Sequence, residues 1–577
     1  MSNQKLTPSQ EKAWMKYLPK ESAHVEIPKR TIYSYLKYEN RGHLKHTAIH
    51  YYGKNITWEE LFKRIDAAAN AFVALGVKKG DIVSFLSVAV PECIVAVYAL
   101  NKIGAAANMI DPRMDTKSIS RMVKESGSRI LVTIDLAYPK VRKIMNTIKQ
   151  DHVIVQSATD SLLFVAKVAM KAKMKADVDY GGKVIRWKSF IKGGEHTKAK
   201  EVPYVGDALV AIAYTGGTTG FPKGVMLTND SMNSVVINFK YCGLVYTPGD
   251  RFLGIIPVFS TYGMVCGMHM PLCLGCELVP IPKFEPTQFG KLIKQFRPEH
   301  MISTPAFYEL LMNSKEVKNM DLSFIITLGS GGDTMNEGLE NKLNQFMKDH
   351  NIKYPLAQGY GMSELSAAAS FCVNDRYKRF SVGIPSLTTT IGIFDPETGE
   401  ELGYNQHGEV CVTGPSVMKG YFNRPEETAN VMREHEDGQV WIHSGDIGYM
   451  DEDGFVYIKG RVKRMITRFD GHKVFPVNLE SMVSEHAYVR NCVTIGVNDR
   501  GHSQGQYPLT IIEAADGVDR DELCKEIFEY CDKHVEERGK PVAVISIDEI
   551  PLTGMGKNDY RTLEDEYVNF DYTKLDK

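Results

Sequence analysis

The chain has 577 residues, 43% hydrophobic and 24% charged, and its 69 basic and 70 acidic side chains leave a formal charge of -1. A single core stops growing at roughly 250 to 300 residues, so at least two domains are expected, and the near-neutral balance gives no global electrostatic case for nucleic acid. Met1 to Gln10 lacks the apolar stretch of a signal peptide, no later segment approaches the ~18 uninterrupted apolar residues of a spanning helix, and ten cysteines in so long a chain are too sparse for a disulfide scaffold. The expected location is cytoplasmic, with reduced thiols.

In chain order, the first half alternates amphipathic helices with short apolar strands. Apolar residues recur at helical spacing from Trp58 to Leu75, and Gly76 supplies a stop before the strand-like Ile82 to Leu86. Pro91 to Ile103 reads as a buried helix closed by Gly104, Ser118 to Ser126 as a helix and Ile130 to Ile134 as a strand. This rhythm predicts an α/β fold, a mostly parallel sheet covered by helices. Residues 161 to 175 break it with a helix-prone stretch that places Lys167, Lys171 and Lys175 along one edge. Such a basic amphipathic helix can touch a membrane interface peripherally, or pack as a surface helix on its own protein.

Ala208 to Tyr214 reads as a buried strand running into a Gly/Thr loop, and strands and helices alternate on to about residue 400. A strand- and turn-rich subdomain then carries Gly408 to Gly414 and Gly454 to Gly460. A small α+β unit follows, with the boundary placed at Lys463, so that 1–462 and 463–577 form two domains. Cys266, His269, Cys273 and Cys276 could be drawn as a zinc set. Their surroundings are apolar and interrupted by Pro271 and glycines, so they read as small buried hydrophobes.

The chemistry begins at Tyr214-Thr-Gly-Gly-Thr-Thr-Gly-Phe-Pro-Lys-Gly224. Gly216, Gly217, Gly220 and Gly224 let backbone N–H groups approach phosphate oxygens closely. Thr215, Thr218 and Thr219 add hydroxyl donors, and Lys223 adds a positive charge. The segment departs from the Walker pattern, because no Gly lies five residues before a Gly-Lys-Ser/Thr triplet.

With the ordered motifs that follow it, this loop resembles that of the adenylate-forming superfamily of acyl-CoA synthetases, nonribosomal peptide adenylation domains and beetle luciferases, over about Thr31 to Leu563. The resemblance implies a large N-terminal domain of helix-covered sheets with a β-rich subdomain, and a small mobile C-terminal domain. It implies ATP, Mg²⁺ and CoA as cofactors. The turn Gly329-Ser-Gly-Gly-Asp-Thr334 would cover one side of adenine with the backbone of Gly331, Gly332 and Asp333. In Gln358-Gly-Tyr-Gly-Met-Ser-Glu364, Gln358, Gly359 and Gly361 would line the nucleotide, Tyr360 would stack on the base, Ser363 would bond the α-phosphate and Glu364 would hold Mg²⁺. Asp446 and Arg461 match the ribose-binding pair, Lys463 the hinge residue, and Lys557 the lysine that the C-terminal domain brings to the first half-reaction.

A carboxylate does not react with a thiol at neutral pH. The implied reaction is attack of the carboxylate on the α-phosphate of ATP, release of pyrophosphate, and displacement of AMP by a thiolate, with Lys223, Lys557 and Glu364 as the catalytic set.

The acyl segment Ile256-Pro-Val-Phe-Ser-Thr-Tyr-Gly-Met264 departs from several relatives. Ser260 stands where many have His, and no Asp is present to pair with an α-ammonium, whose unpaired burial would cost roughly several kcal/mol. Phe259, Ser260, Tyr262 and Gly263 therefore suggest a hydrophobic, fatty or aromatic acid. Gly216 replaces a frequent Ser or Thr, Thr467 stands near a position often Lys, and Phe469-Asp-Gly471 departs from relatives on the thiol-facing loop. The thiol is thus left as CoA or the phosphopantetheine of a carrier protein. A non-catalytic nucleotide-binding protein on the same scaffold is the reading from another class.

Overall fold

The computed structural model describes residues 6–163, 177–215, 221–374, 376–461, 464–552 and 558–574. The expected helix of residues 161 to 175 lies almost wholly outside them, as do Gly216, Gly217, Thr218, Thr219, Gly220, Lys463 and Lys557.

The α/β expectation holds. A seven-stranded sheet runs in the order Val184–Arg186, His152–Gln156, Ile130–Ile134, Ile82–Leu86, Ala106–Met109, Leu209–Tyr214 and Gly224–Thr228. Every neighbouring pair is parallel except the last, which is a hairpin around the Gly/Thr loop. A nine-stranded sheet centres on six parallel neighbours, Thr47–Tyr51, Glu277–Pro280, Arg251–Gly254, His300–Ser303, Thr327–Ser330 and Ala357–Tyr360, with antiparallel pairs at both edges. Helices seal these sheets by burying one face. In Trp58–Ala74, Thr57 caps the first turn by accepting from the Glu60 N–H, and Trp58, Leu61, Ile65, Ala68 and Phe72 are buried. Each large apolar side chain of that face contributes roughly 1.5 to 3 kcal/mol. Gly76 then takes φ +83°, the left-handed value that closes a helix without a Cβ penalty.

The β-rich subdomain is a five-stranded antiparallel sheet in which Val440–Met450 pairs with Gly408–Thr413, Met432–Glu434 and Val456–Arg461. One continuous core joins it to both large sheets, from Trp14 to Val456. Beyond Arg464, a three-stranded sheet of Val489–Asn498, Gln506–Ala514 and Ala543–Ile547 separates two further cores. Adjacent residues split between them, Cys492 and Ile512 to one and Val493 and Ile511 to the other, as the period of two along a strand requires. The helix Glu337–Asp349 packs on Pro476–Ser484 so closely that a Cβ at Gly338 would lie 2.7 Å from the Ser484 carbonyl oxygen. No helix of the described residues is long and apolar enough to cross a membrane.

Candidate active site

Strands of both large sheets end at one place. Leu209–Tyr214 leads into Thr215, Thr327–Ser330 into Gly331, and Ala357–Tyr360 into Gly361. The carboxyl ends of parallel strands are where open α/β sheets bind ligands.

Thr215 N–H donates to the Lys223 carbonyl at 2.9 Å, and Lys223 N–H donates to Thr215 Oγ1 at 3.3 Å, which closes the neck of the Gly/Thr loop. Lys223 Nζ then lies 4.4 Å from the ring centroid of Tyr421, a cation–π contact. The Tyr421 hydroxyl donates to Glu364 Oε1 at 2.5 Å. Tyr421 is placed by pairing across nearly two hundred residues, since Met226 N–H donates to Gly420 O and Phe422 N–H to Gly224 O. Glu364 sits in the 3-10 turn Ser363–Leu365, its carbonyl accepting from Met418 N–H at 2.8 Å. Burial, then the Glu364 carboxylate, pushes the Tyr421 hydroxyl far up, so it remains a donor.

Asp446 lies opposite Arg461 in the antiparallel ladder and is 5% exposed. Arg461 Nε pairs with Asp446 Oδ1 at 2.9 Å, and the Tyr360 hydroxyl donates to Oδ2 at 2.6 Å. Asp446, ahead of Tyr360, Glu364 and Asp333, raises the Arg461 guanidinium further, so it stays a cation. Burial and the Asp446 charge likewise hold Tyr360 protonated.

The glycines in this region meet close neighbours. A Cβ at Gly361 would stand 1.7 Å from the Ala367 carbonyl oxygen, so no side chain fits. Gly331 and Gly332 face Tyr262, whose hydroxyl and ring carbons lie 3.4 and 3.6 Å from the respective Cβ positions. Asp333 accepts from the Thr334 N–H at 2.9 Å. Ser303, Ser330 and Gln358 are paired in register on three adjacent strands, and Ser303 Oγ, Ser330 Oγ and Gln358 Oε1 are buried with no hydrogen-bond partner among the described residues. Buried polar atoms normally find partners, so this row points to a ligand or water.

In the acyl segment Phe259 is buried beneath the Arg113 guanidinium, 5.2 Å from its ring centroid. Ser260 has a structural duty: its Oγ donates to Pro257 O at 2.7 Å and accepts from Gly263 N–H at 3.1 Å, capping the helix Thr261–Met264. That helix runs into a π-helical turn, Val265–His269, a feature frequent at functional sites. Gly263 and Gly267 line a narrow apolar cavity of about 10 Å³ with Ala89, Ile94, Gly254 and Leu278. The four-residue Cys/His set is occupied locally. His269 Nδ1 lies 3.0 Å from the Tyr98 hydroxyl and Nε2 3.0 Å from Asn233 Oδ1, and burial lowers its pKa to about 3.

From the C-terminal unit, Leu552 and Asn558 form an isolated antiparallel bridge, and Asn558 bonds Asn491 at 3.0 Å. Asp333 is among the charges that raise the Tyr560 hydroxyl, behind burial and Glu480, so the start of the helix Tyr560–Tyr567 lies in the field of the Gly331 to Asp333 turn. Arg464 pairs with Glu480 at 2.6 Å and stacks over the Tyr560 ring at 3.4 Å.

Three residues escaped the sequence reading. Tyr421 carried no local signal, because its role arises from the long-range pairing with the strand Gly224–Thr228. Ser303 is a strand-end serine without a motif, and Ser330 was quoted in the adenine turn without a role of its own.

The comparisons with known proteins agree with this geometry. The model of the AMP-binding enzyme family matches residues 36–422, and that of the AMP-binding enzyme C-terminal domain matches residues 478–557. A long-chain-fatty-acid–CoA ligase of Bacillus subtilis is 30% identical over 573 residues, covering 97% of this chain and 99% of the relative. A 4-coumarate-CoA ligase of Narcissus pseudonarcissus is 28% identical over 87% of each chain. ATP-bound MatB from Rhodopseudomonas palustris shares the fold with a TM-score of 0.79 at 22% identity, over 93% of this chain and 99% of that one. The chain is an enzyme that belongs to the AMP-binding family, the adenylate-forming superfamily its motifs resemble.

Proposed function

We propose that this enzyme is an ATP-dependent carboxylic acid:CoA ligase that activates a hydrophobic, fatty acid as acyl-AMP and transfers the acyl group to CoA. The observation that carries the reading is the near-complete coverage by the Bacillus subtilis fatty-acid ligase, 97% of this chain. The arrangement of charges supports it. Asp446 accepts from Arg461 at one oxygen and from Tyr360 at the other, which fixes the orientation of the carboxylate that would accept from the ribose hydroxyls. Tyr421 holds Oε1 of Glu364, so Oε2 is the oxygen that would bind Mg²⁺, a hard cation suited to carboxylate, which would supply charge neutralisation at the phosphates. Lys223 Nζ lies over the ring of the same Tyr421, and Thr215 to Gly220 would cradle the phosphates. The buried oxygens of Ser303, Ser330 and Gln358 give a ligand unfilled polar partners.

In the first step a substrate carboxylate oxygen bonds to the α-phosphorus as the bond to pyrophosphate breaks. In the second, the CoA thiolate bonds to the acyl carbon as AMP leaves. Lys557 would meet the charge that develops in the first step. The division at Lys463 accords with the flanking contacts, Arg461 bound to Asp446 on one side and Arg464 to Glu480 on the other. The acid would enter beside Tyr262 and extend into the apolar cavity, whose 10 Å³ admits no more than a water as it stands; an acyl chain would part its walls.

The test is acid-dependent ATP–pyrophosphate exchange across straight-chain acids and cinnamic-type acids, followed by CoA-dependent AMP release. Exchange with fatty acids and thioester formation with CoA support the reading. Exchange confined to aryl acids would replace the substrate class, and transfer to a holo-carrier protein instead of CoA would replace the acceptor.

A further inference from the structure

Among the described residues, one group of three His, Cys, Asp or Glu side chains brings ligand atoms together: Glu409, Cys411 and His443, all within 4.8 Å of one another. It lies in the β-rich subdomain, outside the residues assigned above to the ligase reaction. Glu409 and Cys411 are two apart on Gly408–Thr413, so they project from the same face, and Cys411 is in register with His443 on Val440–Met450. A register shift between Glu409 and Cys411 lets both reach one ring nitrogen. His443 Nδ1 is 2.8 Å from Glu409 Oε2 and 3.5 Å from Cys411 Sγ.

That nitrogen carries one proton or one lone pair, and two partners compete for it. A cation between the three atoms satisfies all of them at once. Tetrahedral bonds of about 2.0 Å to N or O and 2.3 Å to S place ligand atoms roughly 3.3 to 3.5 Å apart, so the sulfur distance needs no change and the oxygen must recede by about half an ångström. The pocket is sheltered yet open at its carboxylate and imidazole side: the Glu409 and His443 side chains are 13% and 9% exposed, while Cys411 is fully buried against Phe394 and Trp441.

The surroundings also resemble a metal site's outer layer. His443 Nε2 lies 3.0 Å from His435 Nε2, so His435 can take the second ring proton and fix the tautomer that leaves Nδ1 free to bind. His435 is itself held, stacked on Trp441 and edge-on to Phe394. The second carboxylate oxygen, Glu409 Oε1, accepts from Gly445 N–H at 2.9 Å and is thereby oriented.

We propose that Glu409, Cys411 and His443 form a binding site for a divalent transition-metal cation of the Zn²⁺ type, completed by water and oriented by His435. The mixed S, N and O donor set suits a borderline cation and distinguishes it from the all-oxygen preference of Mg²⁺.

The test is a titration of the full-length, chelator-treated protein with Co²⁺ in the absence of nucleotide. The expected result is one equivalent bound with a thiolate-to-cobalt absorption band, displaced by Zn²⁺ and abolished in Cys411→Ser. Glu409→Gln and His443→Gln should weaken Co²⁺ at least 10-fold, and His435→Asn by about 10- to 100-fold. Should Cys411→Ser fail to fold, His443→Gln decides, since unaltered affinity there overturns the site. Absence of a thiolate band in the wild type, or a band that persists in Cys411→Ser, overturns it as well.

Discussion

The contact most open to a sharp test is the hydrogen bond from Tyr421 to Glu364. Tyr421→Phe keeps the ring under Lys223 and removes one oxygen, so the cation–π contact survives while Glu364 Oε1 loses its donor. A hydrogen bond to a charged, buried group contributes about 1.5 to 3 kcal/mol. If Glu364 acts in the transition state, that loss corresponds to a fall of roughly 10- to 150-fold in kcat/KM at 1.36 kcal/mol per decade. The assay is ATP–pyrophosphate exchange with saturating acid, for the wild type, Tyr421→Phe, Glu364→Gln and the double variant. Because the hydroxyl is argued to work through Glu364, it should add little once that carboxylate is gone. A change under about 2-fold in the single variant, or an undiminished fall in the Glu364→Gln background, would refute the reasoning.

Other consequences are equally concrete. Gly267→Ala should be tolerated, since its Cβ would sit 3.9 Å from Tyr262 O and 4.0 Å from Ile256 Cβ, and should shift acid preference toward shorter chains by narrowing the cavity; an unchanged chain-length profile counts against that cavity as the acyl site. Lys557→Ala should slow adenylation by about 10²- to 10³-fold while sparing thioester formation from supplied acyl-AMP, as rapid-quench assays of each half-reaction can show. Burial pushes the Glu92 carboxyl up to about 7, only partly offset by the hydroxyl of Ser161. Its folded pKa exceeds the unfolded 4.5, so the folded state holds the proton longer and stability is lost as pH rises from 4.5 to about 7, by roughly 3 kcal/mol in total. Glu92→Gln should therefore melt higher than the wild type at pH 8, with the difference shrinking toward pH 4.5; a pH-independent difference would contradict the linkage.

Much of this was legible in the chain. The strands Ile82–Leu86 and Ile130–Ile134 follow directly from short apolar runs bounded by turn residues, and Gly76 takes the positive φ that its place after an apolar helical face implies. Asp446 and Arg461 were recognisable as a pair only through resemblance, and the ladder shows why they meet: a hairpin sets them opposite one another. The adenine turn and the acyl segment were read separately, yet the Tyr262 ring packs on Gly331 and Gly332, so one aromatic serves both walls. Ser260 shows a local signal overlooked: a serine three residues before Gly263, at the head of an apolar helix, is an N-cap pattern. Tyr421 and the row of Ser303, Ser330 and Gln358 had no such signal, because register between distant strands creates them and no short window of sequence contains register.

The central claim, that this enzyme joins a fatty acid to CoA through an adenylate, is met most directly by product stoichiometry. Purified enzyme is incubated with a long-chain acid, MgATP and CoA, and AMP, pyrophosphate and acyl-CoA are quantified together by mass spectrometry. The account predicts the three in equal amounts, with AMP release dependent on both acid and CoA. ADP in place of AMP, or AMP release without any acyl-CoA across the acid series, would contradict it.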